Sequence, residues 1–83
     1  PDRAVHHWRT QHGQEVDFVV EQARRLVPVE VKASASVGAD DARHLRTFLE
    51  RHSEAVRGLL LSADPAIRSF GERVIAAPWW AVI

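Results

Sequence analysis

Eighty-three residues suffice for one domain with one modest core, since a chain this short buries only about 60 to 65% of its unfolded surface, and a large enclosed substrate cavity is excluded. Apolar residues at 46% and charged residues at 27% exclude a disordered chain. Eleven basic residues balance eleven acidic ones and no cysteine is present, so the long-range positive field of many nucleic-acid binders is missing, as are disulfides and thiolate metal sites.

Val5 to Thr10 mixes apolar and polar residues, and Gln11-His12-Gly13 separates it from the alternating run Glu15 to Val20. That pattern predicts a β-hairpin, its loop three residues long with Gly13 in the left-handed conformation. Gln22-Ala23-Arg24-Arg25 interrupts the alternation, which resumes over Leu26 to Ala33 with valine at every second position from Val27 to Val31. A second hairpin follows from this, giving three antiparallel strands.

Ser34 to Gly38 reads as a loop of small residues. Asp40 and Asp41 then open a helix, with Asp40 placed to cap it and Ala42, Leu45, Phe48, Leu49 and His52 recurring on one face. The opposite face carries Arg43, Arg46 and Glu50, with Arg46 and Glu50 one turn apart. Val56 to Ala63 is almost continuously apolar, as a strand buried on both faces after a crossover helix would be. Asp64-Pro65 opens a loop, Val74 to Ala77 forms a last short strand, and Pro78 to Ile83 closes the chain. The predicted architecture is a single α/β domain over residues 1–83, a mixed β-sheet built from antiparallel hairpins and a crossover helix.

Alternate side chains of a strand share a face, so Glu15, Asp17 and Val19 fall together, opposite Val16, Phe18 and Val20. Glu30 and Lys32 likewise lie opposite Val27, Val29 and Val31. A turn centred on Ala23-Arg24 sets Asp17 against Glu30 and Glu15 against Lys32. The same register brings Val16 to Val31, Phe18 to Val29 and Val20 to Val27 on what reads as the core face, whereas a one-residue slip would mix the two sets. Two carboxylates held about 5 Å apart at Cβ favour a hard divalent cation between them, magnesium or manganese. Lys32, the single lysine beside ten arginines, stands ready to orient a hydroxide and stabilise developing charge. The plain alternative is a solvated face with a Glu15–Lys32 ion pair worth under about 1 kcal/mol.

HHWRTQHGQEVDFVV, LVPVEVKAS, the helix with Leu45 and Phe48, GLLLS and APWWAVI together resemble the C-terminal domain of unknown function that follows the ATPase module of many prokaryotic AAA+ ATPases. The resemblance covers nearly the whole chain and rests most on Trp8-Arg9 with Gly13, Glu15 to Phe18 and Val29 to Lys32. It implies the restriction-endonuclease-like fold of the PD-(D/E)XK nucleases. In active members an aspartate and a Glu-x-Lys supply the site, which here fall on Asp17, Glu30 and Lys32, with the Val31 carbonyl as third metal ligand. Many such nucleases carry a further acidic residue on a helix before the first strand. A chain starting at Pro1 has no room for that helix, so a fragment of a larger ATPase is expected, with weak metal binding and no activity on its own. The implied function is metal-dependent hydrolysis of nucleic acid; a non-catalytic module binding nucleic acid or protein for the ATPase is the alternative.

The hairpin register pairs Arg9 with Glu15 and His7 with Asp17, so Arg9 either holds a phosphate or neutralises Glu15, and His7 borders the site. His6, His12, His44 and His52 show no metal-ligand spacing and read as structural or solvent-facing. Trp79 and Trp80 can stack on bases, pack in the core, or meet another part of the protein. Ser34 and Ser36 lack a neighbouring base and serve the loop or cap the helix. No apolar run approaches the roughly 20 residues of a membrane span, and a cytoplasmic location is expected.

Overall fold

The alternating segments form β2 (Glu15–Gln22) and β3 (Arg25–Val31), joined by the two-residue turn Ala23-Arg24. This structure, a computed structural model, describes the backbone of residues 3–9 and 15–82 and the side chains of Val5 and of residues 16–82. Both turn residues have positive φ, 52° and 67°, the pair of left-handed conformations by which a two-residue turn follows the twist of its strands. Phe18 pairs with Val29, Val20 with Val27 and Gln22 with Arg25, which is the expected register. β1 (Arg3–Arg9) runs antiparallel to β2 and completes the three-stranded unit. The loop Gln11-His12-Gly13 lies outside the described residues.

A 3-10 turn over Ala39–Ala42 leads into α1 (Arg43–Arg51). Gly38, not Asp40, is the capping position, because the Asp41 carboxylate accepts the Gly38 N–H at 2.8 Å and starts the first turn earlier. Asp40 is left exposed, 3.9 Å from Arg43. Arg46 turns back to donate to the Ala39 carbonyl at 3.0 Å. Ser34 and Ser36 tie the preceding loop to itself: the Ser34 hydroxyl donates to the Ser36 carbonyl and accepts the Ser36 N–H.

Beyond the helix come β4 (Gly58–Ser62), β5 (Arg68–Phe70) and β6 (Val74–Pro78), then a 3-10 turn over Trp79–Val82. The sheet has the order β1-β2-β3-β4-β6-β5. β3, β4 and β6 are parallel, and the remaining pairs are antiparallel. The fold is therefore α/β with a mixed sheet. β5, three residues long, turns into β6 at Gly71, whose φ of 77° suits glycine.

Ala42, Leu45, Phe48 and Leu49 are buried on one face of α1, as their spacing predicts. They pack against Val16, Val19, Leu60, Val74 and Ala76. Glu30, Leu60 and Ala76 are neighbours across the parallel strands, so Glu30 belongs to the face that α1 covers. The face expected to be core is the other one. There Phe18 is 37% and Val31 44% exposed, and Leu59 and Leu61 are half-buried, because α1 lies on one side of the sheet. For the same reason β4 is not buried on both faces, and Val56, outside the strand, is exposed.

A bulge explains why simple alternation misassigns β2. His6 pairs with Val19 and Trp8 with Val16, so Asp17 and Phe18 together stand opposite the single residue His7. An extra residue on one strand shifts the phase of its side chains. Val16 and Val19, three positions apart, are consequently both buried in the core with α1, not on opposite faces. Gly58 sits where the helix comes nearest to the sheet: a Cβ there would lie 3.3 Å from the Leu45 Cβ. Among the described residues no helix is long and apolar enough to cross a membrane.

Candidate functional site

β3, β4 and β6 end at one edge of the sheet, and the antiparallel β2 begins there. Ligands of open sheets with parallel strands gather outside these carboxyl ends. Asp17, Glu30 and Lys32 all belong to this edge: Glu30 and Lys32 meet in an ion pair, and Asp17 reaches the Val31 N–H between them.

The ladder between β2 and β3 stops at Phe18 and Val29. Past that point the Asp17 carboxylate takes over, its Oδ2 accepting the Val31 N–H at 2.7 Å. The bulge frees Asp17 from backbone pairing with Glu30 and turns its carboxylate onto the peptide that joins Glu30 to Val31. N–H and C=O of one strand residue point to the same side, so the Val31 carbonyl opens toward β2 as well.

Glu30 is 6% exposed. Its Oε2 lies 3.2 Å from the Lys32 ammonium and its Oε1 3.6 Å from His44 Nδ1. Among the described residues the ion pair of Lys32 is with Glu30, two residues back on its own strand; the expected pair with Glu15 falls on a side chain outside them. The Lys32 N–H donates to the Leu61 carbonyl at 2.8 Å, anchoring the residue to β4. The side chains of Glu15, Arg9 and His7 lie outside the described residues; the backbones of Arg9 and Glu15 are paired as expected.

His44, read from sequence as structural or solvent-facing, instead touches the carboxylate of the site. No spacing rule joins residues 30 and 44, but the first turn of a crossover helix lies over the end of the strand it leaves, and that placement was the available signal. His52, by contrast, stacks on Phe48 with ring centroids 3.9 Å apart, and its Nδ1 lies 3.0 Å from the Phe48 carbonyl. Its role is packing.

Glu30, Lys32, Asp40, Asp41, Arg43 and His44 line a cleft of about 70 Å3. Its lining is charged and polar, which suits an ion or the oxygens of a phosphate. Asp17 approaches from the β2 side and does not line it. Among the described residues no group of three or more histidine, cysteine, aspartate or glutamate side chains is placed to hold a metal. The oxygen donors at this edge are the Asp17 and Glu30 carboxylates and the Val31 carbonyl, the donor type that magnesium or manganese takes; Glu30 is turned into the cleft and Asp17 onto the Val31 N–H.

Behind the cleft the loops are fixed by Asp64, which is buried. Its carboxylate accepts the Ala66 N–H at 3.0 Å and the Val37 N–H at 3.1 Å, and Arg68 stands 3.5 Å away. Those two backbone hydrogen bonds, Ala66 first, hold the carboxyl below its usual value against the opposing effect of burial, with Arg68 adding to them. The Val37 bond and the Ala63 N–H donated to the Ser34 carbonyl tie the loop after β3 to the end of β4.

Over residues 1–82 the chain matches the family model described as Domain of unknown function (DUF4143), and it belongs to that family. No curated protein and no solved structure matches it.

Proposed function

We propose that this member of the DUF4143 family is a restriction-endonuclease-like domain of the PD-(D/E)XK type, hydrolysing phosphodiester bonds of nucleic acid and working attached to an AAA+ ATPase in the prokaryotic cytoplasm. The observation that carries the reading is the Asp17 carboxylate on the Val31 N–H at 2.7 Å, which sets it against the Glu30-Val31-Lys32 segment at the sheet edge. Asp17, Glu30 and the Val31 carbonyl would hold the divalent ion, whose chemistry is to acidify water and polarise a phosphoryl oxygen.

The protein's own side chains divide the remaining work. Lys32, 38% exposed at its side chain, can turn from Glu30 to orient the attacking hydroxide and balance charge developing on the phosphate. His44 positions the Glu30 carboxylate from the other side. Arg43, which lines the same cleft, offers a forked donor to a phosphate oxygen.

A second reading has its own observation. Glu30 is already neutralised by Lys32 at 3.2 Å, which is what a module without a metal would need, serving the ATPase by binding nucleic acid or protein. Lys32→Arg separates the two. Arginine can keep the ion pair to Glu30 but brings a bulkier planar head that cannot replace a compact ammonium. In the full-length protein attached to its ATPase, with magnesium, nucleic acid should be cleaved, and the Lys32→Arg variant should fold but not cleave. If the protein cleaves no single-stranded, duplex or branched substrate, or if the variant cleaves equally well, the binding-module reading replaces the nuclease.

A further inference from the structure

Trp79 and Trp80 follow β6, and neither belongs to the core: they are 47% and 48% exposed. Their rings meet edge to face, with centroids 5.5 Å apart and planes at 87°. Core packing, one of the sequence-based expectations, is ruled out by that exposure. Large aromatic faces left open to water cost solvation unless they serve a contact.

Their position is set by the register. Val31 pairs with Leu61, and Ser62 with Pro78, so Lys32, Ser62 and Pro78 form one row across the parallel strands, and the tryptophans begin one residue past it. Two strand spacings, about 10 Å, separate β3 from β6. A stacked strand of nucleic acid covers that distance in about three nucleotides at 3.4 Å each. The cleft at Glu30 and Lys32 is lined by charged side chains and an imidazole and offers a base no apolar face to stack on, which the tryptophans do.

We propose that Trp79 and Trp80 are a stacking platform for unpaired bases, and that the substrate of this edge is a single-stranded or frayed segment of nucleic acid rather than intact duplex. The inference rests on the nuclease-like reading of the site for its phosphate end. Stacking requires an open base face, which a duplex offers only at its ends, and aromatic stacking binds single strands without regard to sequence.

The test is fluorescence anisotropy of the protein with a short labelled single strand and with a blunt duplex of the same length, in EDTA so that cleavage plays no part. The single strand should bind at least tenfold more tightly. Trp79→Ala with Trp80→Ala should remove that preference, roughly tenfold per ring, while Trp79→Phe with Trp80→Phe retains part of it; circular dichroism checks that the variants fold. Equal binding of the two oligonucleotides overturns the proposal. So does an alanine double variant that binds the single strand as well as the parent, or one whose change is confined to association with protein. Cleavage by the full-length protein with magnesium is read separately: absence of cleavage with the single-strand preference intact counts against the nuclease reading alone, and equal binding of the two oligonucleotides counts against this proposal alone.

Discussion

Asp17 on β2 accepts the Val31 N–H on β3 through a carboxylate oxygen at 2.7 Å, one step beyond the last ladder pair of the two strands. A side chain thereby replaces a backbone carbonyl in the sheet. The replacement follows from the bulge at Asp17 and Phe18, which breaks the ladder and leaves a strand donor to be satisfied. One carboxylate oxygen closes the sheet in place of the missing ladder bond.

Asp17→Asn separates that structural role from the proposed metal ligation. The amide oxygen of asparagine can still accept the Val31 N–H, so stability should stay within about 0.5 kcal/mol of the parent. A neutral ligand holds a hard cation poorly, so affinity for magnesium or manganese should fall at least tenfold. Calorimetric titration together with thermal denaturation reads both quantities. Unchanged metal affinity in the variant would remove Asp17 from the ligand set.

Lys32→Met tests the Glu30 pair. It leaves a carboxylate that is 7% exposed at its side chain without its ammonium partner. Breaking a fully buried pair costs about 3–5 kcal/mol; because Lys32 is partly exposed, the expected loss is smaller, about 1–2 kcal/mol. Adding Glu30→Gln should recover part of it, since the double variant buries no unpaired charge. Urea denaturation of the four proteins measures the coupling, and a Lys32→Met variant as stable as the parent would mean that the pair contributes nothing.

The hairpin register was legible because two sets of side chains of period two can be matched in one way around a break at Gln22 to Arg25. The buried face of α1 was legible for a similar reason, Ala42, Leu45, Phe48 and Leu49 lying at helical spacing. Which face of the sheet meets α1 was not. Both faces of β3 are apolar enough, with Val27, Val29 and Val31 on one side and Leu26 and Pro28 on the other, and a valine stripe looks like a core. The bulge hid the rest: it depends on pairing with β1, a long-range match that alternation within β2 does not encode. β5 has three residues and no pattern of its own, and becomes a strand by pairing with β6. Asp17, Glu30 and Lys32 could be named from sequence, whereas His44 reaches Glu30 through tertiary placement of the helix.

Ala23 and Arg24 both adopt left-handed conformations without being glycine or asparagine. Each such residue costs about 1 kcal/mol. Ala23→Asn with Arg24→Gly supplies the residues preferred in this turn, and should stabilise the protein by about 1–2 kcal/mol with the site unchanged. A thermal midpoint that fails to rise would show that Arg24 or Ala23 makes a compensating contact.

Acid should loosen the loops behind the site through Asp64. Hydrogen bonds from Ala66 and Val37 lower its folded-state pKa, so the unfolded chain binds the proton more readily than the folded one. Stability from this group is therefore complete above the unfolded value, about 3.9, and is lost as pH falls through the lower folded value. Asp64→Asn removes the titrating group: its amide oxygen can still accept the Ala66 or the Val37 N–H, but it carries no charge to attract Arg68 and takes up no proton. The variant should be less stable than the parent at neutral pH, and the gap between them should narrow steadily below about pH 4. Thermal midpoints from pH 7 to pH 2 follow this directly. A gap of constant size across that range would show that Asp64 holds the Val37 and Ala66 loops by shape alone, with no contribution from its charge.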